Sequence, residues 1–316
     1  MKIEVKLRTA LVAVLTMLCT SMYADKVPVK YLDENGQEQW ISDYSILTGE
    51  EDVLTTGWYV VNQPELKGKG VEISGDVRII LCDNALYTLG RGNVGFPFEG
   101  AGMDSCLRLY AQSTGENAGR LYEDEKDLYY FSSPYFFCVA SLVINGGIID
   151  CVGDGRNSPA CQVIDFTING GSFSMSNVER GIACFNMHLN GGQLKVSATE
   201  IAVGVGVKFT IEKSYCDIDC ECTNFSYYGD DDVVLPDFVS VKVDDKEYNG
   251  VLPYDFTDDG VTRITSHYDT EAALGVNSNS GDEDAGAWYT MSGMCLKSTP
   301  TEKGIYIHNG TKVQIR

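Results

Sequence analysis

The sequence predicts an all-β chain built around a parallel β-solenoid with about 22 residues per coil, flanked by an N-terminal cap and a small C-terminal β tail. Three observations predict it. An Asn-Gly-Gly corner recurs at a nearly constant interval. Apolar residues alternate with polar ones on both sides of each corner, which is the two-residue period of a strand. The 3.6-residue periodicity that helical repeats of this length need is missing.

Residues 1–24 read as a secretory signal peptide: Lys2, Lys6 and Arg8 form a positive start, Leu11 to Leu18 a short apolar core, and Ala24 a small residue before Asp25. The core is too short to span a bilayer, which takes about 20 apolar residues, and no later stretch could cross a membrane. Leu18 before Cys19 does not fit a lipobox. Residues 25–56 are assigned to a cap, because the open end of a solenoid exposes a strand edge.

The solenoid is assigned to residues 57–235. Its early coils are Gly57 to Val61, Val71 to Leu81 and Leu107 to Ser113. An insert follows between Leu121 and Phe137, charged at its start and aromatic at its end. The regular coils come next. Leu142-Val-Ile144-Asn145-Gly146-Gly147 recurs as Phe166-Thr-Ile168-Asn169-Gly170-Gly171 and as Met187-His-Leu189-Asn190-Gly191-Gly192, with a degenerate copy at Phe209-Thr-Ile211-Glu212-Lys213-Ser214. The asparagines lie 24 and 21 residues apart, and the fourth copy comes 22 later. Before the corner the pairs Leu142/Ile144, Phe166/Ile168, Met187/Leu189 and Phe209/Ile211 share one parity. After it, Ile149/Cys151, Phe173/Met175, Leu194/Val196 and Cys216/Ile218 share another. These side chains are expected to point inward and stack rung on rung. Asn and Gly suit a corner that requires positive φ. Cys138, Cys161 and Cys184, spaced by 23 and 23 with Val207 a further 23 on, suggest an internal thiol ladder. Cys216, Cys220 and Cys222 read either as buried structural thiols or as part of a metal site, although no histidine is close in sequence.

Residues 236–273 resume short strands and are assigned to a C-terminal β cap. A polar linker follows at 274–287 and a β tail at 288–316, with a turn expected at Asn309-Gly310.

Gly57-Trp58-Tyr59-Val60-Val61, Gly75 to Leu81, Leu109 to Ser113 and the Ile-Asn-Gly-Gly repeats together resemble a group of secreted proteins of gut Bacteroidales. The likeness covers roughly residues 28–225 and implies a right-handed parallel β-helix, broadly pectin-lyase-like in fold. Ala287 to Gly293, Lys303 to Gly310 and Lys312 to Arg316 resemble a shortened version of the C-terminal sorting domains of the type IX secretion route. Some members of the β-helix group are labelled carbohydrate-binding by analogy, which is inference from fold alone.

Charge narrows the function classes. The chain carries a net charge of −21, and removing a leader with three cations and Glu4 takes the mature protein to −23. Such a field repels phosphate backbones, so nucleic acid is not an expected partner, and polyanionic substrates and anionic membrane surfaces are disfavoured. Outward positions follow from the inward ones. The first column reads Ile148, Ser172, Gln193, Tyr215; the second Asp150, Ser174, Lys195, Asp217; the third Val152, Ser176, Ser197, Asp219. Asp150, Lys195 and Asp217 are therefore the catalytic candidates if the chain is a carbohydrate-active enzyme. The plain alternative is a cross-rung Lys195–Asp217 ion pair. The Gly-His-Gly and Arg-Ile-Lys motifs of polygalacturonase-like sequences are absent, as is a serine or cysteine nucleophile motif. Asp230, Asp231 and Asp232, and Asp258 and Asp259, sit in oxygen-rich turns that suit calcium, against a reading as solvated loops; no other cofactor is expected. Tyr129, Tyr130 and Tyr135 are candidates for stacking on sugar, or for packing the insert. These readings favour a non-catalytic secreted or cell-surface β-helix that binds glycan or another extracellular partner. A polysaccharide lyase or glycoside hydrolase is the competing class, and a purely structural envelope protein the third.

Overall fold

The computed structural model describes residues 26–89, 98–124, 136–153, 155, 160–212, 216–237, 239–256 and 261–268, with the strands 288–290, 295–296, 304–308 and 311–315 of the tail. The expected signal peptide, linker and Asn309-Gly310 turn, together with Tyr129, Tyr130, Tyr135, Asp258 and Asp259, lie outside the described residues.

The chain is an all-β solenoid of about six turns, its coils stacked in parallel. No helix occurs among the described residues. Parallel pairing runs without a break from one rung to the next. Ile79 pairs with Leu109, Leu109 with Ile144, Ile144 with Ile168, Ile168 with Leu189, and Leu189 with Ile211. All six side chains are at most 1% exposed and form one internal column. Fully burying an aliphatic side chain of this size contributes roughly 1.5–3 kcal/mol, so this column and its neighbours supply much of the drive to stack. The second predicted set is also internal: Tyr87, Leu121, Ile149, Phe173, Leu194 and Cys220 pair in sequence and are buried.

Each regular corner turns through its second glycine. Gly147, Gly171 and Gly192 have φ of +92°, +76° and +86°. A Cβ on Gly171 would lie 2.6 Å from the Gly147 carbonyl oxygen of the rung beside it, so a side chain is excluded by sterics as well as by φ. The asparagines before them form an amide ladder. Asn169 Nδ2 donates to Asn145 Oδ1 at 2.7 Å, and Asn190 Nδ2 donates to Asn169 Oδ1 at 2.8 Å.

Two register expectations are corrected. First, the coil after the fourth corner is four residues longer than predicted: Leu194 pairs with Cys220 and Val196 with Cys222, while Gly192 pairs with Ile218. Glu212-Lys213-Ser214 supplies no glycine for a tight corner, and the strand that re-enters the sheet begins only at Ile218. Ile218 is still internal, but Cys216 is only half-buried. Second, the thiol ladder does not form. Coils of 24 and 21 residues cannot keep a spacing of 23 in one column. Cys138 pairs with Gln162, Cys161 with Phe137 and Ile182, and Cys184 with Val163 and Val205. The nine cysteines from Cys82 to Cys222 are free thiols.

Both ends carry antiparallel additions. The hairpin Val29–Leu32/Glu38–Ile41 lies against outward-facing Val60, Ile80 and Tyr110, with Tyr31 packed 4.7 Å from Trp58 and 5.3 Å from Tyr110 between ring centroids. At the far end Val261–Tyr268 pairs antiparallel with Ile218–Tyr227 and occupies the edge of the last rung. The tail strands form a separate four-stranded antiparallel sheet in which Trp288 stacks on His308 at 4.3 Å.

Candidate functional site

The site follows from the corners. Because three successive turns pass through glycine, the outer wall beside them has no side chains, and the first residues of the following strands stand at its edge. The result is a groove of about 700 Å³ whose floor includes Gly146, Gly147, Gly171 and Gly192. Along one side runs a single column in register, Arg120, Ile148, Ser172, Gln193 and Asp219. Four rung steps of about 4.8 Å make this column roughly 19 Å long, parallel to the solenoid axis. The loop Ser113 to Glu116 borders one end, and Cys216 to Asp219 borders the other.

Backbone bonds fix the geometry. Ile148 N donates to Gly119 O at 3.0 Å, Ser172 N to Gly147 O at 2.9 Å, Gln193 N to Gly171 O at 2.9 Å, and Gly192 N to Asp217 O at 3.0 Å. The floor is thus a ladder held together by backbone hydrogen bonds between rungs.

The three catalytic candidates are not brought together. Asp150 lines the groove and its Oδ1 accepts from Ser174 Oγ at 2.6 Å. Asp217 also lines it, and its Oδ2 lies 3.8 Å from His267 Nδ1. Asp150, Ser174, Lys195 and Glu221 share one column, so Asp217 lies three rungs from Asp150 and four residues back along the coil. That is roughly 14 Å along the axis and about 13 Å along the strand. A glycosidase pair needs about 5–10 Å. Lys195 lies outside the groove, and because the coil is longer its partner is Glu221 at 3.4 Å, not Asp217. Asp219 accepts from Arg263 Nη2 at 3.1 Å.

No family model, curated protein or solved structure matches this chain. What stands is the architecture, a β-solenoid of about six turns, and the groove its corners create.

The Asp230–Asp232 loop is braced from within. Asp232 Oδ1 accepts from Tyr254 N at 2.9 Å, and the Asp231 carbonyl accepts from Tyr227 Oη at 3.3 Å. Among the described residues no three His, Cys, Asp or Glu side chains converge as a metal site would require.

Sequence reasoning missed Arg120, Glu116 and Gln193 as groove residues and Glu221 as the lysine's partner. Ser172 and Gln193 stand in the first outward column that the repeat defines, so parity alone could have found them. Glu221 could have been found from the missing glycine in Glu212-Lys213-Ser214. Arg120 and Glu116 belong to coils without the repeat motif and carried no such signal.

Proposed function

We propose that this chain is an exported, non-catalytic β-helix protein of the pectin-lyase-like kind found in secreted Bacteroidales proteins, that its tail is a short type IX sorting segment, and that its groove binds an extended glycan. The observation that carries the reading is the glycine-floored groove edged by one polar column over five rungs. A glycan chain is long, narrow and rich in hydroxyls, and it matches a straight wall offering a hydrogen-bonding group at regular steps. Arg120, Ser172, Gln193 and Asp219 provide donors and acceptors, and Ile148 an apolar patch. The wide separation of Asp150 and Asp217 favours binding over hydrolysis.

The test is a titration of the purified protein with oligosaccharide panels, compared with Gln193→Trp, which fills the groove from an exposed position. Saturable binding that the tryptophan abolishes, with an unchanged unfolding midpoint, is expected. Binding that survives the substitution, or reducing ends released from the bound sugar, would overturn the reading.

A further inference from the structure

We infer that the groove selects glycans that carry free amines, oligomers of an unacetylated hexosamine, over acetylated and acidic ones. This rests on the groove being the glycan site.

The charged side chains that line the groove among the described residues are Glu116, Asp150, Asp217 and Asp219 against the single guanidinium of Arg120. They are distributed, not clustered. Glu116 stands with Arg120 at one end, Asp217 and Asp219 at the other, and Asp150 between them. Asp219 is engaged by Arg263. Asp150 is half-buried, and its Oδ1 accepts from Ser174 Oγ. Its Oδ2 has no protein partner among the described residues. A carboxylate held in place by one internal hydrogen bond, on a residue that lines the groove, is arranged to accept from a cation that enters it. A sugar ammonium there forms a charge-assisted hydrogen bond, which is shorter and stronger than one from a neutral amide. An acetamido group at the same place brings a neutral donor and added bulk. A uronate or sulfate meets the acidic wall and the field of a chain at −21.

Spacing gives the same direction. Rungs repeat about every 4.8 Å because backbone hydrogen bonds set the distance. Asp150 and the Asp217/Asp219 pair lie three rungs apart, so an extended oligomer along the axis reaches both with ammonium groups on different sugar units.

The experiment titrates the unmodified protein with three oligomers of equal length, a β-1,4 glucosamine, its N-acetylated counterpart and a galacturonate, at low and high salt. The glucosamine oligomer is expected to bind at least about ten-fold tighter than the acetylated one at low salt, the discrimination a single charge-assisted hydrogen bond supplies. The gap should narrow at high salt and again in Asp150→Asn, which keeps the side chain's shape. Equal binding of the amine and acetylated forms, a preference for galacturonate, or a salt-insensitive preference would overturn the inference and leave the groove reading intact. Binding of none of the three, together with an empty wider panel, would overturn both.

Discussion

Replacing Glu212 by asparagine should stabilise the solenoid by completing its amide ladder. The ladder runs from Asn145 through Asn169 to Asn190, with Asn169 and Asn190 each donating from Nδ2 to the rung before, and it ends on Asn190 Oδ1, which is buried without a hydrogen-bond partner among the described residues. Leu189 pairs with Ile211, so residue 212 stands over Asn190 in the next rung. Glu212 offers only acceptors there when ionised, and two acceptors cannot bond. An asparagine amide at 212 would bring a donor to the orphan oxygen. An unpaired buried acceptor costs about 1–3 kcal/mol, and an ordinary intramolecular hydrogen bond contributes about 1 kcal/mol net. Ordering an exposed side chain takes back roughly 0.5–1 kcal/mol. A net gain near 1 kcal/mol is expected, visible as a higher urea midpoint at constant slope and a rise of about 2–4 °C in Tm. Glu212→Ala is the necessary comparison, because it removes the charge without supplying a donor. If the alanine variant gains as much as the asparagine variant, the ladder argument is wrong and the effect is charge relief alone.

Three further outcomes follow from the same structure. Gly171→Ala should destabilise by more than about 1 kcal/mol, since φ is +76° and the new Cβ meets the Gly147 carbonyl at 2.6 Å; an unchanged midpoint in chemical denaturation would contradict the corner geometry. Lys195→Met should shift stability by less than about 0.5 kcal/mol, because the pair with Glu221 is 3.4 Å long and more than half exposed on both sides, and it should leave glycan titrations unaltered because Lys195 is not in the groove. Burial, aided by Asp165, pushes the Cys184 thiol up to about 12, and burial with Asp83 pushes Cys82 to about 11, from an ordinary value of 9.0. The folded chain therefore keeps these protons where the unfolded chain loses them. The associated stability is complete below pH 9 and is lost as pH rises from 9 through 11 and 12. Urea midpoints across that window should fall, and native Cys184 should resist alkylation at pH 8; reaction at the unfolded rate would refute the burial argument.

Much of this was legible from residue order. A strand alternates faces every two residues, and a repeat can bury its apolar set only by stacking, so Ile144, Ile168, Leu189 and Ile211 could be assigned to one internal column without coordinates. Asn-Gly-Gly at each interval named its own corners, because few residues accept the backbone they need. Tertiary structure decided whatever depends on how long each coil is. Cys138, Cys161 and Cys184 are evenly spaced in number yet fall in three columns, since pairing counts rungs and not residues. Asp217 was expected over Lys195, and four extra residues put Glu221 there instead. The groove itself needed several coils at once: no single repeat contains it, and its length, its bare floor and the distance between Asp150 and Asp217 exist only when the rungs are stacked in register.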